Sequence, residues 1–241
     1  MTTQTEQDRA KQAAADYAAG LVERGMRLGL GTGSTAERFL RSLGQRIQSE
    51  KLEVTGVATS ERSSRLAQEL GIPLVTLDEA GALDLAVDGA DEADAALRLI
   101  KGGGGALLRE KLVASAARRV VILADASKRV ETLGRFPLPV EVVGFGARIT
   151  LERIGALIAL HGEPGGVARL RLDNYGEPFV TDGGNLIIDA AFGGIRDPEG
   201  LARALDGLTG VVEHGLFLSL CDMLVIGAPD GTTTSFTRKE L

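Results

Sequence analysis

The sequence predicts an α/β protein: an open, mostly parallel sheet covered by helices, with a smaller α+β domain inserted before the last strand. Two observations carry this. Up to residue 125, short and almost wholly apolar runs alternate with segments whose apolar residues recur every three or four positions, as expected of parallel strands buried on both faces. Past Gly134 the order becomes β-α-β-β-α-β, the split βαβ pattern of a ferredoxin-like unit, after which "DMLVIGAP" reads as one more apolar strand returning to the first sheet.

Each element has its own signal. Ala10, Ala13, Ala14, Tyr17, Ala18, Leu21 and Val22 fall on one helical face, with Gly25 ending the helix. "MRLGL" is a short buried strand. Beyond the turn "GTGSTA", Ala36, Phe39, Leu40, Leu43 and Ile47 form the stripe of a second helix, and Ser34 with Glu37 makes a capping-box pattern at its start. Strand "LEVTGVA", a helix over 61–70, strands "IPLVTL" and "LDLAVD", a glycine loop, a helix over 106–118 and strand "RVVILAD" complete the first region. The second holds strand "LPVEVV", helix 150–161, strand "VARLRL", a "TDGG" turn, strand "NLIID", helix 198–208 and strand "GVV". The division expected is therefore a Rossmann-like domain of residues 1–134 plus 215–241 and an inserted domain of residues 135–214.

Composition narrows the function. The 241 residues are 44% hydrophobic and can bury a sizeable core. The net charge of −6, with acidic and basic residues interspersed, advertises no face for nucleic acid. No apolar segment in the first twenty-five residues resembles a signal peptide, and no run reaches the roughly eighteen apolar residues of a membrane span. The single cysteine, Cys221, suits a reducing compartment, and the expected location is the cytoplasm. With only His161 and His214 beside it, no His/Cys metal cluster is expected, and the metal and cofactor readings are none; a carboxylate-bound Mg²⁺ is the arrangement left formally open.

Three stretches carry chemistry. In "GTGSTA", a glycine turn between strand and helix presents backbone N–H groups at the positive end of a helix dipole, and Thr32, Ser34 and Thr35 add hydroxyls around Gly33, so an anion is the expected guest. No lysine follows the last glycine as a P-loop requires, and "ATSERSS" offers a dinucleotide's ribose only Glu61. The competing reading is a turn needed only for tight packing. In "VDGADEAD", Asp88 and Asp91 flank Gly89 and Ala90 after the carboxyl end of an apolar strand, where open α/β sheets bind ligands; the alternative is a plain surface turn.

The third stretch is "KGGGGALLREK". Its glycines Gly102, Gly103 and Gly104 allow backbone to approach a ligand, and Lys101 brings a cation suited to a phosphate or a developing oxyanion, whereas a flexible linker is the rival reading. Glu110 lies on the face of Leu107, Ala114 and Ala117, where desolvation raises a carboxylate toward the range of a general base; pairing with a base such as Arg109 is its alternative. Lys128, in "ADASKR", is a candidate phosphate contact. His161 and His214 read as turn or surface residues, and Cys221 as a buried small apolar one.

Taken together, "GTGSTA", the "TS" at 59–60, "DGADE" and "KGGGGALLREK" occur in the order and approximate spacing of one family, and the likeness continues through "LPVEV", "TDGGN" and "GVVEHGLF". The sequence resembles the A-type ribose-5-phosphate isomerases over nearly its whole length. The resemblance implies an aldose–ketose isomerase of the pentose phosphate route that needs no cofactor and works as a homo-oligomer, dimer or tetramer. It matches Thr32, Gly33, Ser34 and Thr35 to the first substrate loop, Asp88 to Asp91 to an acidic loop, and Lys101 to Gly104 to a lysine-glycine loop. Glu110 corresponds to the proton-abstracting glutamate, Lys128 to a further substrate lysine. Its rivals are an amino-sugar-phosphate isomerase-deaminase, a noncatalytic sugar-phosphate sensor and a nicotinamide-dependent oxidoreductase.

Overall fold

The computed structural model describes residues 3–238. In chain order its elements are α1 (Gln4–Gly20), β1 (Arg27–Leu30), α2 (Ser34–Glu50), β2 (Thr55–Ala58), α3 (Glu61–Glu69), α4 (Leu77–Ala80), β3 (Leu85–Gly89), β4 (Glu92–Ala93), β5 (Leu99–Ile100), α5 (Leu107–Ser115) and β6 (Val120–Asp125). There follow β7 (Leu138–Val142), α6 (Ala147–His161), β8 (Val167–Leu170), β9 (Leu186–Ala191), α7 (Pro198–Asp206), β10 (Val211–His214), β11 (Leu216–Phe217), β12 (Met223–Gly227) and β13 (Thr233–Thr237). Two compact units result. The first takes the chain up to Ala90, Arg109–Arg129 and the segment from Ser219 onward; the second takes Asp91–Leu108 and Val130–Leu218.

The first unit is built on a sheet of order β13-β12-β6-β3-β1-β2, parallel throughout except for β13. Phe39, Leu40 and Leu43 of α2 and the alanine face of α1 bury Leu28, Leu30, Val87, Leu123 and Val225 of the sheet. Alanines suit α1 because they let its backbone come close: a side chain at Gly227 of β12 would run into the Ala10 carbonyl. On β1, α5 sits so near that a Cβ at Gly29 would stand 2.5 Å from Val113 Cγ1. From β1 the chain moves to β2 on one side and from β3 to β6 on the other, so the turns that follow β1 and β3 occupy the switch point of the sheet.

The second unit contains an antiparallel sheet of order β10-β7-β9-β8. With α6 and α7 it realises β-α-β-β-α-β, the ferredoxin-like arrangement expected from the sequence. Its core joins Leu138, Val140 and Val142 to Ile154, Ile158, Ile188, Leu201 and Leu205.

Several details depart from the sequence reading. Residues 91–108, 130–134 and 215–218 belong to the second unit rather than the first, because β5 pairs with both β4 and β11 and the buried Glu92 carboxylate accepts the Gly134 and Phe136 amides at 2.7 and 2.6 Å. Strands of two residues carry no periodicity to read. The first helix ends at Gly20, short of Gly25. Expected strand "IPLVTL" is reduced to one bridge between Gly56 and Leu74, since Pro73 has no N–H to donate and the capping box of Thr76 and Glu79 opens α4 at once. Ser34 does not cap α2: Gly33 is the cap and Glu37 pairs with Arg62 at 2.6 Å.

Candidate active site

In the first unit, the candidate residues collect at the carboxyl ends of parallel strands. Thr32 follows β1 and is held from two sides. Its amide donates to Asp88 Oδ1 at 3.0 Å, and its hydroxyl lies 2.8 Å from the hydroxyls of Thr59 and Ser60 and 3.1 Å from that of Ser63. Ser63 in turn donates to the Gly31 carbonyl at 2.7 Å, while Thr59 donates to the Leu30 carbonyl at 3.1 Å. Gly31 must be glycine, because a Cβ there would overlap the Asp88 carboxylate and crowd its Cα.

Beyond Thr32 the chain enters α2. Gly33 caps it with φ 103° and no side-chain hydrogen bond, so the first amides of a 17-residue helix are left for another acceptor. Ser34 Oγ takes a hydrogen bond from Lys11 Nζ at 3.2 Å, which brings an ammonium from α1 to the loop. Thr35 is half-buried in the first turn of α2. Lys11 escaped the sequence reading, its only signal being a lysine on the polar side of an amphipathic helix.

Asp88 is buried at the end of β3 and also accepts the Gly89 amide at 2.7 Å; Gly89 and Ala90 are half-buried. Glu110 is 4% exposed. It shares its face of α5 with buried Leu107 and Ala114, one turn ahead of Val113. The neighbouring Arg109 pairs with Glu61 at 2.9 Å. Lys128 is half-buried and ends a 3₁₀ turn capped by Asp125 at the carboxyl end of β6.

In the second unit, Asp91 Oδ2 accepts the Gly103 amide at 2.7 Å, and the Asp91 amide donates to the Ile100 carbonyl at 2.8 Å. Lys101 is 3% exposed, with Nζ 5.5 Å from the centre of the Phe217 ring and its amide on the Gly215 carbonyl at 2.9 Å. Gly102 is buried, whereas Gly103 and Gly104 are exposed. The Phe217 and Arg171 partners of this loop come from distant sequence and were not foreseen.

His214, expected in a turn or at the surface, is instead buried at the end of β10. Its Nδ1 accepts the Leu216 amide at 3.2 Å, so Nε2 carries the hydrogen directed at Asp206 Oδ1, 3.1 Å away. Asp206, Glu213 and His214 are the one His/acidic cluster of metal-like geometry among the described residues, and this tautomer leaves the imidazole no lone pair for an ion.

A buried carboxylate on an apolar helix face, carboxylates steadied by backbone amides and an anion-accepting helix start form the equipment of an α/β enzyme that moves protons on an anionic substrate. Residues 55–231 match the family model for ribose 5-phosphate isomerase A (phosphoriboisomerase A). The ribose-5-phosphate isomerase A of Parvibaculum lavamentivorans is 54% identical over 225 residues, covering 93% of this chain and 96% of its own. The solved structure of ribose 5-phosphate isomerase A from Methanocaldococcus jannaschii superposes with a TM-score of 0.86 at 42% identity, covering 94% of this chain and 97% of that one. A D-ribose-5-phosphate isomerase in complex with phospho-erythronic acid gives a TM-score of 0.88 at 37% identity, with 95% and 97% covered. The chain belongs to the ribose 5-phosphate isomerase A family.

Proposed function

We propose that the protein interconverts D-ribose 5-phosphate and D-ribulose 5-phosphate by moving one proton between C2 and C1 through an enediolate, with Glu110 as the base. The observation that carries this reading is Glu110 itself: a carboxylate 4% exposed on a helix of this isomerase family, at the position where the sequence called for a base. Glu110 takes the C2 proton of the open-chain aldose, and the electron pair of that bond forms C1=C2 while the carbonyl electrons settle on O1. After a proton passes from O2 to O1, Glu110 returns its proton to C1 and the ketose results. Asp88 or Asp91 moves the proton between the oxygens and assists ring opening.

Lys101 and the backbone of the glycine loop, through the Gly104 amide, stabilise the enediolate oxygen, because preorganised donors aimed at developing charge lower the barrier most. The phosphate is assigned to the uncapped start of α2 with Ser34 and Thr35, and to Lys11 and Lys128. A base and fixed donors suffice for enediolate chemistry, so the reaction is read as metal-independent. Two coarser expectations accompany it. A homo-oligomer, dimer or tetramer, is supported by Phe145 and Tyr175, which are 97% and 92% exposed on the second unit. A cytoplasmic location is supported by the single, buried Cys221.

The test is an NMR time course with ribose 5-phosphate in D₂O containing EDTA. Ribulose 5-phosphate carrying deuterium at C1 is expected; conversion that stops with EDTA and returns with a divalent ion would overturn the metal-independent mechanism. Light scattering at micromolar concentration checks the assembly, a monomer being the result against it.

A further inference from the structure

Arg171 follows β8 in the second unit, remote in sequence from every residue assigned above. Its backbone is pinned on both sides, with its amide on the Ile187 carbonyl at 2.8 Å and its carbonyl accepting the Phe179 amide at 2.9 Å. The side chain is 14% exposed. Its guanidinium divides into two working edges. Nε and Nη2 grip the Asp189 carboxylate of β9 at 2.8 and 2.5 Å, while Nη1 donates to the carbonyl oxygens of Gly102 and Gly103 at 3.0 and 3.1 Å. The plane stands 5.8 Å from the Phe179 ring, and Gly105 lies so close to that ring that any side chain at 105 would overlap it.

We infer that Arg171 is a positioning residue for the isomerisation: by holding the Gly102 and Gly103 carbonyls it aims the amides of Gly103 and Gly104, and through the first of these it orients Asp91. The inference rests on the site reading proposed above. Its physics is the rigidity of the peptide plane. The Gly102 carbonyl and the Gly103 amide share one plane and point in opposite directions, as do the Gly103 carbonyl and the Gly104 amide. A cation fixed on the two carbonyls therefore turns both N–H groups away from itself. The first lands on Asp91 Oδ2 at 2.7 Å. The second remains available to a developing oxyanion. Polarising a carbonyl also strengthens the amide joined to it as a donor.

Glycine gives such a loop no side chain to hold it: one turn bond, from the Gly105 amide to the Gly102 carbonyl at 2.9 Å, braces it from within, and its remaining orientation comes from outside. Only a planar fork serves, because two carbonyls and a carboxylate must be met at once from fixed directions. A lysine ammonium is a compact point charge and cannot match that geometry. Asp189 keeps the fork from swinging.

The experiment is steady-state kinetics with ribose 5-phosphate on Arg171→Lys, Asp189→Asn, Asp91→Asn and the double variant Arg171→Lys/Asp91→Asn, each first shown to be folded by circular dichroism. Misplacement of reacting groups predicts that Arg171→Lys lowers kcat by about 10- to 100-fold while KM moves by less than about threefold. Asp189→Asn loses less, in the same direction. Because Arg171 acts partly through Asp91, the loss in the double variant falls short of the product of the single losses. A folded Arg171→Lys enzyme with the parent kcat, or losses that multiply fully, overturns the inference while leaving the site reading intact. An Asp91→Asn enzyme at the parent rate strikes the assignment of Asp91, and this inference with it.

Discussion

Both units carry a glycine-rich loop, and the two are held in different ways. The loop after β1 is fixed by short side chains of adjacent strands: Asp88 of β3 on the Thr32 amide, and Thr59, Ser60 and Ser63 around the Thr32 hydroxyl. The loop after Lys101 has one such support, Asp91 on the Gly103 amide, and its carbonyls are held by a long arginine from another part of its sheet, braced by Asp189. A loop at a parallel-sheet switch point inherits rigid walls from the strands beside it. One lying outside regular structure needs a clamp that reaches it. Preorganisation thus comes from several short side chains in the first case, whereas in the second both loop carbonyls rest on a single guanidinium.

This difference can be tested in order of size. Neither loop supplies the base, so the largest effect belongs to Glu110→Gln, which should reduce turnover by roughly 10² to 10⁴, about 3 to 5 kcal/mol of barrier, with substrate affinity nearly unchanged. Single-turnover kinetics and a binding titration with ribose 5-phosphate check the two halves. Near-parental turnover in the folded variant would remove Glu110 as the base and leave both loops to explain the chemistry. Next come the two glycines at which the loops are tightest. Gly31→Ala forces a methyl group against Asp88, and Gly105→Ala drives one into Phe179 at a φ of 77°, so each should cost about 1–3 kcal/mol of stability in urea unfolding.

Their kinetic consequences sharpen the contrast. Gly31→Ala disturbs a loop with several supports, whereas Gly105→Ala disturbs the ring beside the guanidinium that holds both loop carbonyls, so the second should lose the larger share of kcat per folded molecule. An equal loss would break the distinction between distributed and concentrated support. The smallest effect is a control. Thr76→Ala removes the capping box of α4, whose hydrogen bonds run between Thr76 and Glu79, and should cost about 1 kcal/mol of stability without altering kcat. A change in kcat there would mean that the walls of the first loop depend on more distant structure than the hydrogen bonds imply.

Much of this was legible in the chain. Apolar runs such as "RVVILAD" revealed parallel strands because burial on both faces leaves no polar position, and the β-α-β-β-α-β order revealed the second sheet. Glu110 could be picked out because a carboxylate on an apolar stripe violates the helix's own pattern, and Asp88 because it ends an apolar strand. The two-residue strands β4, β5 and β11 were not legible, since periodicity needs several residues to show itself. The Thr-rich β13 was missed as well: an edge strand with exposed faces has little apolar signal. Ser34 and Glu37 looked like a capping box, but Glu37 found Arg62 and the hydroxyl found Lys11, contacts that no local spacing encodes.

What the sequence by itself determined is therefore everything set by local pattern: the two sheets, the glycine turns at strand ends, the buried carboxylate of Glu110 and, through the order of its motifs, the family. Only the tertiary structure decided who steadies those motifs. Lys11 reaches Ser34 across 23 residues and Arg171 reaches Gly102 across 69. Hydrophobic periodicity reports which face of an element is buried; it carries no record of the partner on the other side of a hydrogen bond, because a lysine or an arginine on a half-exposed face reads the same whether it ends in water or on a distant carbonyl.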